Sequence, residues 1–245
     1  MTSRKAQSAR SPQSAGKLKR LLGRPVGRVL LAFCLTSFTL WGCLTLGGEA
    51  LEGETQAFDE WALLRMRNPA DLSDPIGSRV FEEAMRDVTA LGGFTVLTLI
   101  TVVAVISLWR LARRREAMIL AVTVLGAQLS SDLLKALYAR PRPALVPHES
   151  YVYSNSFPSG HSAVSAAVYM MLAIILIPAL RSAGSRAAVC ILAAVLVVVI
   201  GISRTYLGVH WPTDVIAGWA LGSAWTIIGW LALNLTAGKS AEATS

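Results

Sequence analysis

The feature that most constrains this chain is a set of long runs without a single charge: residues 29–48, 88–109, 117–131, 162–180, 187–203 and 215–238. A helix at a protein surface carries an apolar stripe beside a polar one, whereas these blocks are apolar all round and belong in hydrocarbon. Crossing a bilayer takes ~20 mostly apolar residues, so the six runs are read as six spans. The third and fifth are short and are expected to extend into their polar flanks, which takes Asp132 and Lys135 into the third. A composition of 53% hydrophobic and 16% charged residues, with a mean hydropathy of +0.52, excludes a disordered chain and argues against a soluble one. One membrane domain over residues 26–238 is expected, with tails at 1–25 and 239–245. The first run is longer than the apolar part of a signal peptide and no small-residue cleavage site follows it, so it is read as an anchor.

Charge sets the expected orientation. The 23 Lys and Arg residues give a net charge of +8, but they cluster between apolar blocks without interleaved aromatics, which suits membrane topology and not nucleic acid. Eight precede the first span, Arg110, Arg113, Arg114 and Arg115 follow the second, Arg181 and Arg186 follow the fourth, and Lys239 follows the sixth. Basic loops stay on the cytoplasmic side, so a multi-pass protein of the cell (inner) membrane with both termini cytoplasmic is expected. The opposite side receives residues 49–87, with ten carboxylates, and the loops 136–161 and 203–214. The first 25 residues have the composition of a disordered tail attracted to anionic lipid. Within 49–87, Phe58 to Met66 is expected as a short amphipathic helix with a packing role, before the turn-rich stretch NPADLSDPIG. Cys34, Cys43 and Cys190 lie inside apolar blocks, so no disulfide framework and no CxxC metal site is available.

Ionisable residues at the ends of spans pair structurally or serve chemistry. Three segments bring them to one side. In the first, Lys135 is followed by the proline-punctuated turn Arg140-Pro-Arg142-Pro143. Guanidinium forks and an ammonium point charge suit a tetrahedral anion; snorkelling to headgroups is the plainer alternative. Asp132 is assigned to Lys135 as an intrahelical pair. In the second, Phe157-Pro-Ser159-Gly160-His161 opens span four, where free N–H groups, the Ser159 hydroxyl and the close approach allowed by Gly160 favour an anion. His161 would donate a proton to a leaving oxygen, or merely cap the interface. The third runs from Ser203-Arg204 to His210 and Asp214. Pro212 suits a first helical turn, which sets His210 just before span six and Asp214 inside its start, the arrangement of an oriented imidazole or simply of an acidic helix start. Only three histidines occur, there is no HExxH, and cations flank each candidate ligand, so no metal and no cofactor is expected.

Together the segments K-x6-R-P (Lys135, Arg142, Pro143), P-S-G-H (Pro158, Ser159, Gly160, His161) and S-R-x5-H-x3-D (Ser203, Arg204, His210, Asp214) resemble the type 2 phosphatidic acid phosphatase superfamily over about residues 85–235. The resemblance implies an all-α bundle of six transmembrane helices, of the type shared with haloperoxidases. It implies a metal-independent lipid phosphatase acting at the extracytoplasmic face on an isoprenoid or glycerolipid phosphate or diphosphate, with undecaprenyl diphosphate slightly favoured. Phosphatidic acid, phosphatidylglycerol phosphate and the phosphates of lipid A are the other candidates. By the same resemblance His210 is the nucleophile of a phosphohistidine route and Asp214 orients it. Lys135, Arg142, Arg204, Ser159 and the Gly160 amide hold the phosphoryl oxygens, and His161 protonates the leaving group. Arg140 lies outside the pattern and is set down as a phosphate neighbour. The competing readings are a lipid phosphotransferase, a vanadate-dependent haloperoxidase, and a structural or transport protein whose polar cluster is inert.

Overall fold

The structure, a computed structural model, describes residues 25–148, 150 and 154–242, with side chains followed to Leu235. The expected basic tail over 1–24, the last residues 243–245 and the side chain of Lys239 therefore lie outside the described residues.

Eight α-helices run through the described residues: α1 Pro25–Glu52, α2 Gln56–Leu64, α3 Arg79–Ala90, α4 Phe94–Arg110, α5 Arg114–Tyr138, α6 Gly160–Leu176, α7 Ala183–Tyr206 and α8 Pro212–Glu242. Five of them, α1, α5, α6, α7 and α8, are long and apolar enough to cross a membrane, and a sixth crossing results if α3 and α4 count as one span. The second expected span is thus a bent pair, turned by 47° at the break between Ala90 and Phe94. The physical reason is Gly92-Gly93, two poor helix formers together, with Gly93 extended at φ −71°, ψ 150° as the N-cap of α4. Helix α5 takes in both Asp132 and Lys135. The short helix α2 begins two residues before the expected Phe58 and ends at Leu64. The turn-rich stretch after it forms a small antiparallel hairpin, β1 Arg67–Asn68 with β2 Asp71–Pro75, a β element that the apolar periodicity did not signal.

Helices α6 and α8 form the centre of the bundle, since α6 packs on α5, α7 and α8, and α8 packs on α1 as well. Their crossing is built from small residues. A Cβ on Gly218 would stand 2.6 Å from the Ser159 carbonyl oxygen, and one on Gly222 would run into the Ala163 carbonyl. Without a hydrophobic drive between helices in lipid, such backbone approach supplies the packing. Ala163, Ala166, Ala167, Val168 and Met171 of α6 are fully buried, while Phe33 and Phe38 of α1 and Leu99 of α4 point outward. Cys34 and Cys190 are exposed on the outside of the bundle, Cys43 is buried, and all three are free thiols. At one end Arg115 donates to the Ala232 and Leu233 carbonyls of α8, and Arg113 pairs with Glu116 at 2.7 Å. The three polar segments gather at the other end.

Candidate active site

The C-terminal end of α5, the start of α6 and the α7–α8 turn meet around a cavity of about 450 Å³. Its polar end is lined by Lys135, Arg142, Gly160, His161, Arg204 and His210, and its apolar end by Phe94, Leu97, Val124, Leu125 and Val164. Six of the eight residues singled out in the sequence therefore face one space.

The turn that carries His210 explains how the imidazole is placed. Helix α7 ends at Tyr206, Gly208 takes a left-handed φ of +72°, and the Val209 and His210 amides return to the Arg204 carbonyl at 3.1 and 3.3 Å. Pro212 then opens α8, whose own first N–H would have had no partner. His210 Nδ1 lies 3.4 Å from Asp214 Oδ2, and Arg142 Nη1 lies 3.2 Å from His210 Nε2. A guanidinium only donates, so Nε2 accepts and the ring proton sits on Nδ1, facing the carboxylate. Burial, followed by the facing cations Arg204, Arg142 and Lys135, holds this imidazole neutral by pushing its pKa well below the usual range. A neutral ring with its lone pair on the cavity side is the nucleophilic form.

Asp214 is held from four sides. Oδ1 accepts from Arg140 Nη1 at 2.7 Å, and Oδ2 accepts from the Trp211 amide at 3.0 Å, from the Ser156 hydroxyl and from the imidazole. Arg140 in turn donates through Nη2 to Asp59 Oδ2 at 2.7 Å, and Asp59 accepts the Thr213 amide at 2.9 Å and the Thr213 hydroxyl at 2.7 Å. Asp59 and Asp214 are wholly buried and Arg140 is only 4% exposed. Arg140 is thus not a phosphate neighbour: its guanidinium is spent between two carboxylates and is absent from the cavity wall. Helix α2 packs as expected, but it also delivers Asp59, a residue whose pattern in the sequence gave no signal. Ser156, Thr213 and Asn155 were missed for the same reason, being ordinary polar residues in loops.

The cations of the cavity are fixed by two loop carbonyls and a threonine hydroxyl. Lys135 Nζ donates to the Asn155 carbonyl at 2.7 Å, Arg142 Nε to the Ser154 carbonyl at 2.8 Å, and Arg204 Nη1 to Thr89 Oγ1 at 2.8 Å. The expected pair between Asp132 and Lys135 is not made. Asp132 instead accepts the Gln128 amide at 2.9 Å, because the lysine turns toward the Asn155 carbonyl, while the Asn155 side-chain amide donates to the Lys135 carbonyl at 3.0 Å. Arg204 Nε is buried with no acceptor among the described residues, as is Ser131 Oγ beneath Gly160. Buried donors of this kind call for an acceptor that the protein does not itself supply.

At the start of α6, the amides of Gly160 and His161 have no acceptor among the described residues. Ser159 behaves differently from expectation: its hydroxyl caps the helix, accepting from the Ser162 amide at 3.4 Å and the Ser162 hydroxyl at 3.1 Å, and it is buried out of the cavity wall. His161 makes no hydrogen bond among the described residues and stands beside the α3–α4 break, where a Cβ on Gly93 would be 3.9 Å from its Nε2. Three cations, two free amides and two imidazoles, one of them oriented by a carboxylate, make a site for a tetrahedral anion that is attacked on one side and protonated on the other. Among the described residues no group of three His, Cys, Asp or Glu side chains is placed to hold a metal ion.

Residues 116–236 match the family model of the PAP2 superfamily. Phosphatidylglycerophosphatase B of Bacillus subtilis (strain 168) is 36% identical over 143 residues, 57% of this chain and 69% of that protein. The undecaprenyl-diphosphatase of Sulfolobus acidocaldarius is 32% identical over 117 residues, 45% of this chain and about half of its own length (52%). The crystal structure of a transmembrane PAP2-type phosphatidylglycerolphosphate phosphatase from Bacillus subtilis superimposes with a TM-score of 0.60 at 27% identity, covering 89% of this chain and 96% of the other.

Proposed function

This chain belongs to the PAP2 superfamily of membrane lipid phosphatases, and from that premise we propose that it hydrolyses the terminal phosphate of a glycerolipid, with phosphatidylglycerol phosphate as the leading substrate. The observation that carries the reading is the His210 geometry: a neutral imidazole, its proton on the Asp214 side and its lone pair toward three cations. Undecaprenyl diphosphate, favoured by the sequence alone, is the second reading, supported by the archaeal relative.

In the first step the phosphate oxygens take the Lys135, Arg142 and Arg204 donors and the Gly160 and His161 amides. An oxygen that accepts from Arg142 in place of Nε2 frees the His210 lone pair, which then attacks phosphorus. The bond to the lipid oxygen breaks as His161, which takes up a proton when the anionic substrate offsets the surrounding cations, gives that oxygen the proton, leaving phosphohistidine and a lipid alcohol. In the second step His161 takes a proton from water, whose oxygen attacks the phosphohistidine and releases inorganic phosphate. Asp214 stabilises the cationic ring in both steps. The cations neutralise the equatorial oxygens, the main requirement of phosphoryl transfer, and no divalent metal is needed for it.

We place the site at the extracytoplasmic face, because Arg113, Arg114, Arg115, Arg181 and Arg186 stand at the opposite end of the spans. The test is phosphate release from phosphatidylglycerol phosphate, phosphatidic acid and undecaprenyl diphosphate by purified protein with chelator throughout. Release from the first, and its loss in a folded His210→Ala variant, is expected. Undiminished release by that variant overturns the assignment.

A further inference from the structure

We propose that Gln128 and Asp132 form a second, polar subsite on the wall of the catalytic cavity. It reads the linker between the scissile phosphate and the lipid tail, selecting hydroxyl-bearing linkers such as glycerol or sugar over a directly attached second phosphate. The proposal rests on the lipid phosphatase reading above and names the substrate class within it.

Asp132 lies three residues and Gln128 seven residues before Lys135 on α5, so the three share one face and the first two sit about 4.5 and 10 Å deeper along the axis. All three line the same cavity, between the phosphate clamp and the apolar end formed by Phe94, Leu97 and Leu125. A carboxylate inside a membrane span is expensive unless a partner or a function compensates. Lys135 makes no direct ion pair with it among the described residues, since its ammonium goes to the Asn155 carbonyl. Among the described residues, the one hydrogen bond to Asp132 comes from Gln128 at 2.9 Å. A carboxylate has about four lone-pair positions, and the Gln128 carbonyl adds its own, so the pair presents acceptors with almost no donor to meet them.

The substrate must pass this wall. With phosphorus in the clamp and the leaving oxygen at His161, the next atoms of the lipid run along α5 before the chains reach the apolar end. In a glycerol- or sugar-linked phosphate those atoms carry hydroxyl donors, which complement the acceptor pair. In a diphosphate they are a second anionic phosphate, which Asp132 repels.

The experiment compares kcat/KM of the full chain in detergent for phosphatidylglycerol phosphate, phosphatidic acid with the same acyl chains, and undecaprenyl diphosphate. The wild type is expected to favour the first. Asp132→Leu should lower the ratio of phosphatidylglycerol phosphate to phosphatidic acid about tenfold. Asp132→Asn, which keeps an acceptor oxygen and loses the charge, should largely retain that ratio and raise the ratio of diphosphate to phosphatidic acid by a similar factor. Each ratio is internal to one preparation, so a smaller folded fraction does not move it, and the asparagine variant decides alone if the leucine variant is not recovered. Unchanged ratios, or a wild type that favours the diphosphate, overturn the subsite and leave the phosphatase reading standing. A wild type that releases phosphate from none of the three overturns that reading instead.

Discussion

Replacing Asp59 by asparagine tests whether the site is held from outside the matched motifs. The change is isosteric: the remaining carbonyl oxygen still accepts the Thr213 amide, but an NH₂ now faces Arg140 Nη2 and Thr213 Oγ1 where Oδ2 accepted both at 2.7 Å. Removing one member of a buried ion pair costs about 3–5 kcal/mol. Arg140 keeps Asp214 at 2.7 Å and the Trp211 ring at 5.6 Å, so a cost at or just below the bottom of that range, about 2–3 kcal/mol, is expected. For a chain of this length this corresponds to a melting temperature lower by roughly 5–10 °C. Catalysis should suffer separately. Asp59 touches none of the cavity cations, so KM should hardly move, while an Arg140 drawn wholly onto Asp214 disturbs the carboxylate that orients His210 and lowers kcat about tenfold. Thermal melts and phosphate release in one detergent measure both, with Glu60→Gln on the same helix as control, since among the described residues its carboxylate meets only Gln56. An Asp59→Asn protein that melts and turns over like the wild type would show that the buried Asp59–Arg140–Asp214 chain does not support the site.

Two further predictions concern the same turn. His210 is neutral in the folded protein, whereas an unfolded imidazole titrates near ~6.5, so the unfolded chain gains a proton that the folded one refuses. The contribution to stability is complete above that value and is lost as pH falls; melts between pH 7 and 5 should drop less steeply in His210→Gln, and parallel slopes would refute this. Gly208→Ala places a Cβ at φ +72°, 2.7 Å from Val146 Cγ2 and 2.8 Å from the Pro147 carbonyl oxygen. It should destabilise the protein by about 2 kcal/mol or more and lower kcat, and a melting curve superimposable on the wild type would contradict the turn geometry.

The parts of this molecule legible in its sequence are those governed by a single strong term. Exclusion of charge from hydrocarbon marked the spans, and the convergence of Lys135, Arg142, Gly160, His161, Arg204 and His210 on one cavity was legible because their types and spacing suit the binding of one anion. The sequence could not reveal what depends on the approach of distant segments. Asp59 meets Arg140 across 81 positions, and nothing about an aspartate in a short amphipathic helix announces that partner. Arg140 was misplaced for the same reason: beside Arg142 it looks like a second phosphate ligand, and only a carboxylate on either side makes it a strut. Asp132 was assigned to Lys135 by helical spacing alone, but that rule omits the loop carbonyl which captures the ammonium. The bend between α3 and α4 hides inside a run that is uniformly apolar, because hydropathy carries no record of backbone direction.

That bend brings bare backbone, with no side chain of its own, up against Ile200 and the His161 ring. A single methyl group at position 92 would overlap Ile200 Cγ2 and stand 3.4 Å from His161 Cδ2. The seat of the α3–α4 turn on α7 is therefore set by hydrogen atoms on bare backbone, and the smallest enlargement there would wedge the turn off Ile200 before it pressed on the imidazole.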